Sequence, residues 1–212
     1  QGSRGKGIQP RSQEVFEDLG VVDRLFAAGG PYPPQRVYWE DGSSADKPSM
    51  EDHNATPAEP YLTTLMVPQF LSEGVLRDRL LELGHRPQYG CELSSFEQDA
   101  EGVAGHVRSA AGEWVVRARY LVAADGGRSS IREALGVGFP GQTLGVRAIV
   151  ADLDLTGLSR DAWHRFGEHG AAGRLSLCPL MGTDQFQLQA RTGDRAIELG
   201  QHAARRGDEL AA

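Results

Sequence analysis

The chain has 212 residues, 40% hydrophobic and 24% charged, which is ordinary for a folded globular protein and sets aside a disordered tail. Its formal net charge of −7 is offset by no Lys/Arg stripe, lysine standing only at Lys6 and Lys47, so the composition argues against a nucleic-acid partner. No apolar run approaches the ~18 residues of a membrane helix and no secretory leader pattern occurs, so the expectation is a cytoplasmic protein with no membrane partner and with free, buried thiols at Cys91 and Cys178.

From the start of the chain, Pro10 suits the first turn of a helix in which Val15, Phe16 and Leu19 share a face and Gly20 marks the end. A second short helix is expected over 22–27. Gly5 and Gly7 do not form a dinucleotide loop, because that fingerprint requires a preceding strand and a third glycine where Pro10 stands. Residues 31–66 are rich in Pro, Gly, Ser and acid, with strand-like pieces at 36–40 and 61–66, and should leave the first domain. From Gln69, the residues Leu71, Val75, Leu76, Leu80 and Leu83 recur at helical spacing up to Gly84, a stripe that belongs in a core. Four strand-like pieces follow at 87–96, 102–108, 113–117 and 120–124. The first three read as a β-meander in which Val103, Val107, Trp114 and Val116 face one way.

The stretch 120–136, YLVAADGGRSSIREALG, organises the rest. Tyr120 to Ala124 reads as a strand buried on both faces, which places Asp125 at its carboxyl end, where ligands bind in open α/β sheets. Gly126 and Gly127 permit a sharp turn and close approach of a ligand. A helix then begins, with Ser130 as the cap, Glu133 as its capping-box partner and Gly136 at the end. Its free N–H groups, with Arg128 and Arg132 nearby, would attract phosphate. Taken alone, the stretch reads equally as a plain strand-turn-helix corner or as a nucleotide site. Gly136, Gly138 and Gly141 spell GxGxxG, but they follow a helix and enter a strand, the reverse of the phosphate-loop order. Further strands are expected at 144–155, 174–179 and 185–190, and an amphipathic helix at 196–212. His164 and His169, with Asp161 and Glu168, read as surface residues rather than a metal cluster, since no established ligand spacing supports one.

Two patterns together resemble a known family. Asp125-Gly126, Ser129 and Arg132 fit Asp-Gly-x-x-Ser-x-x-Arg, and Arg4, Gly7, Ile8, Arg11, Ser12 and Glu14 fit Arg-x-x-Gly-(Leu/Ile)-x-x-Arg-(Ser/Thr)-x-Glu. Both are found in the FAD-dependent aromatic hydroxylases, the single-component flavoprotein monooxygenases of the p-hydroxybenzoate hydroxylase type. Residues 177–190 resemble the substrate-domain sheet of the polyketide and phenol hydroxylase branch. The resemblance implies a mixed α/β protein: part of a doubly wound FAD-binding fold with a β-meander insertion (1–30 and 67–138), and part of a β-sheet substrate domain (31–66 and 139–212). It implies that Arg4 reaches the FAD pyrophosphate, Gln69 contacts the flavin side, Leu93 lies near the adenine, and Asp125, Gly126 and Arg132 line the cofactor and the path of NADPH.

The function so implied is oxidation of an aromatic, phenolic or polyketide-like small molecule with FAD, NADPH and molecular oxygen. The flavin carries the chemistry, so no catalytic side chain is named. Two family signatures are taken as missing: a strand-GxGxxG-helix before Arg4, and the family's C-terminal Gly-Asp segment after Ala190, as which neither Gly193-Asp194 nor Gly207-Asp208 is read. The expectation is therefore the middle of a longer hydroxylase, with these 212 residues inactive by themselves and prone to associate through an open sheet edge. An inactive binding or subunit module, and another flavoenzyme such as a halogenase, stay open as alternatives.

Overall fold

A computed structural model describes residues 5–50, 54–142, 147–167 and 175–192. The chain divides into two compact units, Gln1–His85 with Gly145–Ala212, and Arg86–Leu144. The expected helix at 196–212 lies outside the described residues, as do Arg4, Glu168 and His169.

In the first unit, β1 (Gly7–Ile8) leads into α1 (Pro10–Asp18) and α2 (Val22–Ala28), which match the expected helices. Proline at the first helical position costs no hydrogen bond, because that N–H has no partner in any helix. Strands β2 (Gln35–Tyr38) and β3 (Ser44–Lys47) come next, then β4 (Leu65–Met66) and α3 (Gln69–Glu82). At the end of α1, Gly20 takes φ +68°, Val21 N–H donates to Phe16 O at 2.9 Å and Gly20 N–H to Glu17 O at 2.8 Å, so the expected glycine stop is a Schellman motif. Ile8, Val21, Leu25, Leu65 and Val67 form the core of this part, with Phe16, Leu71, Val75 and Leu76 packed against it.

The stripe of α3 is only partly a core stripe. Leu71, Val75 and Leu76 are half-buried, none of the helix is fully buried, and Leu83 just past its end is 58% exposed. The second half of the helix is tied to its neighbours by polar contacts, Arg79 to Leu19 O at 3.1 Å and Glu82 to Arg24 at 2.6 Å, so the apolar spacing runs on beyond the apolar surface that covers it.

Strands β8 (Arg147–Leu153), β9 (Trp163–Phe166), β10 (Leu175–Pro179) and β11 (Phe186–Thr192) join β2 and β3 in a six-stranded sheet of order β3-β2-β9-β10-β11-β8. Every neighbouring pair is antiparallel except β2 with β9, where Gln35 to Tyr38 run parallel to Trp163 to Phe166. Side chains alternate across a sheet, so this register places Gln35, Trp163, Arg165, Ser176, Cys178, Gln187, Gln189 and Asp152 on one face. Arg36, Tyr38, His164, Phe166, Leu177 and Leu188 lie on the other.

His164 is not a surface residue: it is 1% exposed. One ring nitrogen, Nε2, lies 2.7 Å from Ser159 O and can only donate there, so Nδ1 accepts from Tyr38 O–H, also at 2.7 Å. The Tyr38 ring stacks on His164 and Phe166. On the same face Arg36 makes two bonds to Asp46, 2.7 and 2.8 Å, and holds that carboxyl below the usual range. These contacts tie β2 and β3 to β9, three strands the sequence barely signals.

The second unit contains the expected meander, β5 (Glu92–Gln98), β6 (Val103–Ser109) and β7 (Gly112–Ala118), ordered β5-β6-β7. Val107 pairs with Trp114 and Gly105 with Val116, so Val103, Val107, Trp114 and Val116 do share a face. The fourth expected strand is absent: 120–124 pairs with no described strand, and Tyr120 and Val122 are 82% and 86% exposed. An apolar run becomes a strand only when a neighbour supplies ladder hydrogen bonds and covers its side chains. Helix α4 (Ser130–Ala134) closes the unit. Of the two thiols, Cys178 is buried as expected and Cys91 is exposed.

Candidate cofactor and substrate site

The expected site residues fall into two groups, one in each unit. In the first, Gln69 opens α3. Its Oε1 accepts from Gly5 N–H at 3.3 Å, its own N–H donates to Gly5 O at 3.0 Å, and its Nε2 donates to Glu73 Oε1 at 2.8 Å. The residue after Arg4 is thus clasped by Gln69, and the two parts of the chain expected to meet the cofactor stand side by side. Val67 N–H donates to Lys6 O at 2.9 Å, extending the clasp.

The glycine in the first motif has a steric cause. A Cβ at Gly7 would stand 2.7 Å from Tyr32 Oη, closer than real Cβ atoms come, and 3.0 Å from Thr64 Cγ2, tighter than most of their contacts. Nothing lies within 4 Å of a Cβ built at Gly5, so the backbone there is open for a ligand to approach. Gln13, 2% exposed, donates both amide protons, to Ile8 O at 2.9 Å and Thr63 O at 2.8 Å, and so fixes β1 against the segment leading to β4. Lys6 Nζ reaches the polar face of the sheet, donating to Gln187 Oε1 at 2.8 Å and lying 4.7 Å from the Trp163 ring centroid. Burial pushes its ammonium below the ordinary lysine range, opposed by charge interactions with Cys178 and Asp152. Burial likewise pushes the Cys178 thiol up to about 11 and the Tyr32 hydroxyl up to about 12. Trp163 Nε1 is a buried donor with no hydrogen-bond partner among the described residues. Sequence reading singled out none of Lys6, Tyr32, Gln187 or Trp163. Their significance comes from strand register between positions more than 100 residues apart.

In the second group, the helix cap differs from expectation by one residue. Ser129, 6% exposed, is the cap: its Oγ accepts from Arg132 N–H at 3.0 Å. Ser130 instead donates to Asp125 Oδ2 at 3.4 Å, and Ile131 N–H donates to the same oxygen at 3.3 Å. The Ser129 hydroxyl and these N–H groups hold the Asp125 carboxyl below its usual range. The first N–H groups of α4 are therefore not free: Asp125 and Ser129 occupy them, so this turn is preorganised by its own carboxylate. Gly126 takes φ +82°, and nothing lies within 4 Å of a Cβ at Gly126 or Gly127, which leaves their backbone open. Arg132 donates to Gly127 O at 3.1 Å and lies 4.5 Å from the Phe139 ring centroid, so it braces the turn. Gly136 ends the helix as expected, at φ +65°. Leu93 packs over Gly105 on the apolar face of the meander, with Val107, Trp114, Val116 and Leu121 around a shallow cleft of about 300 Å³. Within the second unit, the backbone of Gly126 and Gly127 beside Arg132 is thus open to a ligand.

A meander followed by an Asp-Gly turn makes up one unit, and a loop-and-helix clasp with an antiparallel-rich sheet the other, which is a mixed α/β architecture. The flavin-dependent monooxygenase PieE in complex with FAD and substrate superposes with a TM-score of 0.74 at 24% identity, over 92% of this chain and 37% of that one. The OxyS anhydrotetracycline hydroxylase of Streptomyces rimosus superposes with a TM-score of 0.62 at 28% identity, over 92% and 38%.

Residues 1–203 match the FAD binding domain family. The chain belongs to that family. A flavin-dependent monooxygenase of Mycobacteroides abscessus is 36% identical over 195 residues, 89% of this chain and 41% of the relative. The 12-dehydrotetracycline 5-monooxygenase/anhydrotetracycline 6-monooxygenase of Streptomyces rimosus is 34% identical over 150 residues, 71% of this chain and 28% of the relative. The chain thus spans about two fifths or less of the length of these relatives.

Proposed function

We propose that the protein containing this chain is a monooxygenase that uses FAD, NADPH and oxygen to hydroxylate an aromatic, polyketide-like or phenolic small molecule in the cytoplasm. FAD supplies the redox and oxygen-transferring chemistry when bound. The residues of this chain bind and orient. Arg4 bonds the pyrophosphate, Gln69 the flavin side, Leu93 packs toward the adenine, and Asp125, Gly126 and Arg132 form a rigid turn along the cofactor. The assignment divides the chain into FAD-binding parts, 1–30 and 67–138, and substrate-binding parts, 31–66 and 139–212. On the substrate side, the polar face that carries Gln35, Arg165, Ser176 and Gln189 offers donors and acceptors to ring hydroxyls and carbonyls.

The observation that carries this reading is the clasp of Gly5 by Gln69, because it joins two motifs 64 residues apart that the family resemblance assigns to one cofactor. Titration of the protein as its gene encodes it with FAD tests the reading. Arg4→Ala removes a charge-assisted bond on the order of 1.5–3 kcal/mol and should weaken FAD about tenfold or more. An Arg4→Ala protein that binds like the parent overturns that assignment, and a parent whose bound flavin NADPH never reduces overturns the hydroxylase reading.

A further inference from the structure

Lys6 carries an ammonium into the interior of the first unit, at 6% exposure. Burying a charge costs several kcal/mol, and an apolar side chain of similar volume is often as stable or more so. Stability alone therefore gives no reason for a lysine here.

Its surroundings give one. On its backbone side, Lys6 sits inside the clasp: Lys6 O accepts from Val67 N–H at 2.9 Å, and its neighbour Gly5 exchanges two bonds with Gln69. On its side-chain side, Nζ donates to Gln187 Oε1 at 2.8 Å, and that oxygen also accepts from Gln189 Nε2 at 2.8 Å. The Trp163 face, 4.7 Å away, and the charge of Asp152 hold the ammonium from β9 and β8. One side chain thus connects the segment after Arg4 to three strands of the six-stranded sheet, on the face that also carries Gln35, Arg165 and Ser176.

We propose that Lys6 is a positioning residue: fixed on Gln187 and Trp163, its ammonium sets where the Gly5–Gly7 segment, and with it Gln69, stands against the polar face of the sheet. Its consequence for FAD rests on the function proposed above. Its consequence for the segment does not. A directional hydrogen bond and a ring face fix the depth of the strand along the sheet in a way that an apolar contact, which slides, does not.

The test compares Lys6→Met, which keeps the volume and removes the charge, with Lys6→Arg, which keeps the charge. Amide exchange at Val67 and Gln69, the donors of the clasp, is read in the protein as its gene encodes it, with FAD affinity and the melting temperature of the FAD-free protein. Lys6→Met should speed exchange at these amides and weaken FAD about tenfold, with melting unchanged or raised, and Lys6→Arg should restore part of both losses. The proposal is overturned if exchange at Val67 and Gln69 is unchanged, or if melting falls and Lys6→Arg restores nothing, since a purely structural lysine behaves that way. Should the wild type take up no FAD, the function proposed above fails, while the exchange data still decide the role of Lys6.

Discussion

Replacing Gly7 by alanine adds one methyl group to a place already closed on two sides. The new carbon would stand 2.7 Å from Tyr32 Oη and 3.0 Å from Thr64 Cγ2, with Tyr32 Cζ at 3.7 Å. The strand cannot swing away, because Gly7 pairs with Met66 and Gln13 holds Ile8 O at 2.9 Å. The tyrosine is held as well, half-buried and 6.0 Å from the Trp163 ring. Overpacking of this kind costs about 1–3 kcal/mol. For a cooperative unit of about 150–250 residues that lowers the melting temperature by roughly 2–12 °C.

The clash is mostly with one hydroxyl, so Tyr32→Phe should relieve it, leaving the ring carbon at an ordinary contact distance. Thermal melts of the wild type, both single variants and the double variant form a double-mutant cycle. A coupling on the order of 1 kcal/mol, with the double variant recovering more than half of the loss, is the expected result. A Gly7→Ala protein that melts within about 1 °C of the parent, or a double variant no better than Gly7→Ala alone, refutes the steric account of the motif glycine.

Two further outcomes follow from the caps and thiols. Ser129→Ala removes the cap of α4 and should destabilise that turn by about 1 kcal/mol. It should also let the Asp125 carboxyl titrate higher by NMR, because the Ser129 hydroxyl is the main cause of its depression. With its folded value depressed, Asp125 contributes stability above the ordinary carboxylate range and loses it as pH falls through that lowered value, so the turn should loosen in acid. An Asp125 titration unmoved by Ser129→Ala would break this link. For the thiols, an alkylating reagent at pH 8 should modify Cys91, which is exposed, and spare Cys178, whose buried thiol ionises only near 11. Two equally fast modifications in the native protein would contradict the burial of Cys178.

Local chemistry made much of this protein legible from its residues. Pro10, Gly20, Gly84 and Gly136 mark helix ends because capping is decided by one residue's backbone preference, and the meander showed in the alternation of Val103, Val107, Trp114 and Val116. The two motifs named the family before any contact was known. The tertiary structure decided whatever depends on a partner far along the chain. Apolar spacing made 120–124 a strand on paper, but a strand needs a neighbour, and no described strand pairs with it. A capping oxygen depends on where the turn comes down, which is how Ser129 took the place expected of Ser130 and Asp125 filled the anion position. The buried contacts of Lys6 were invisible for the same reason: Gln187 lies 181 residues away, and only the register of β11 beside β10 brings its amide under the ammonium.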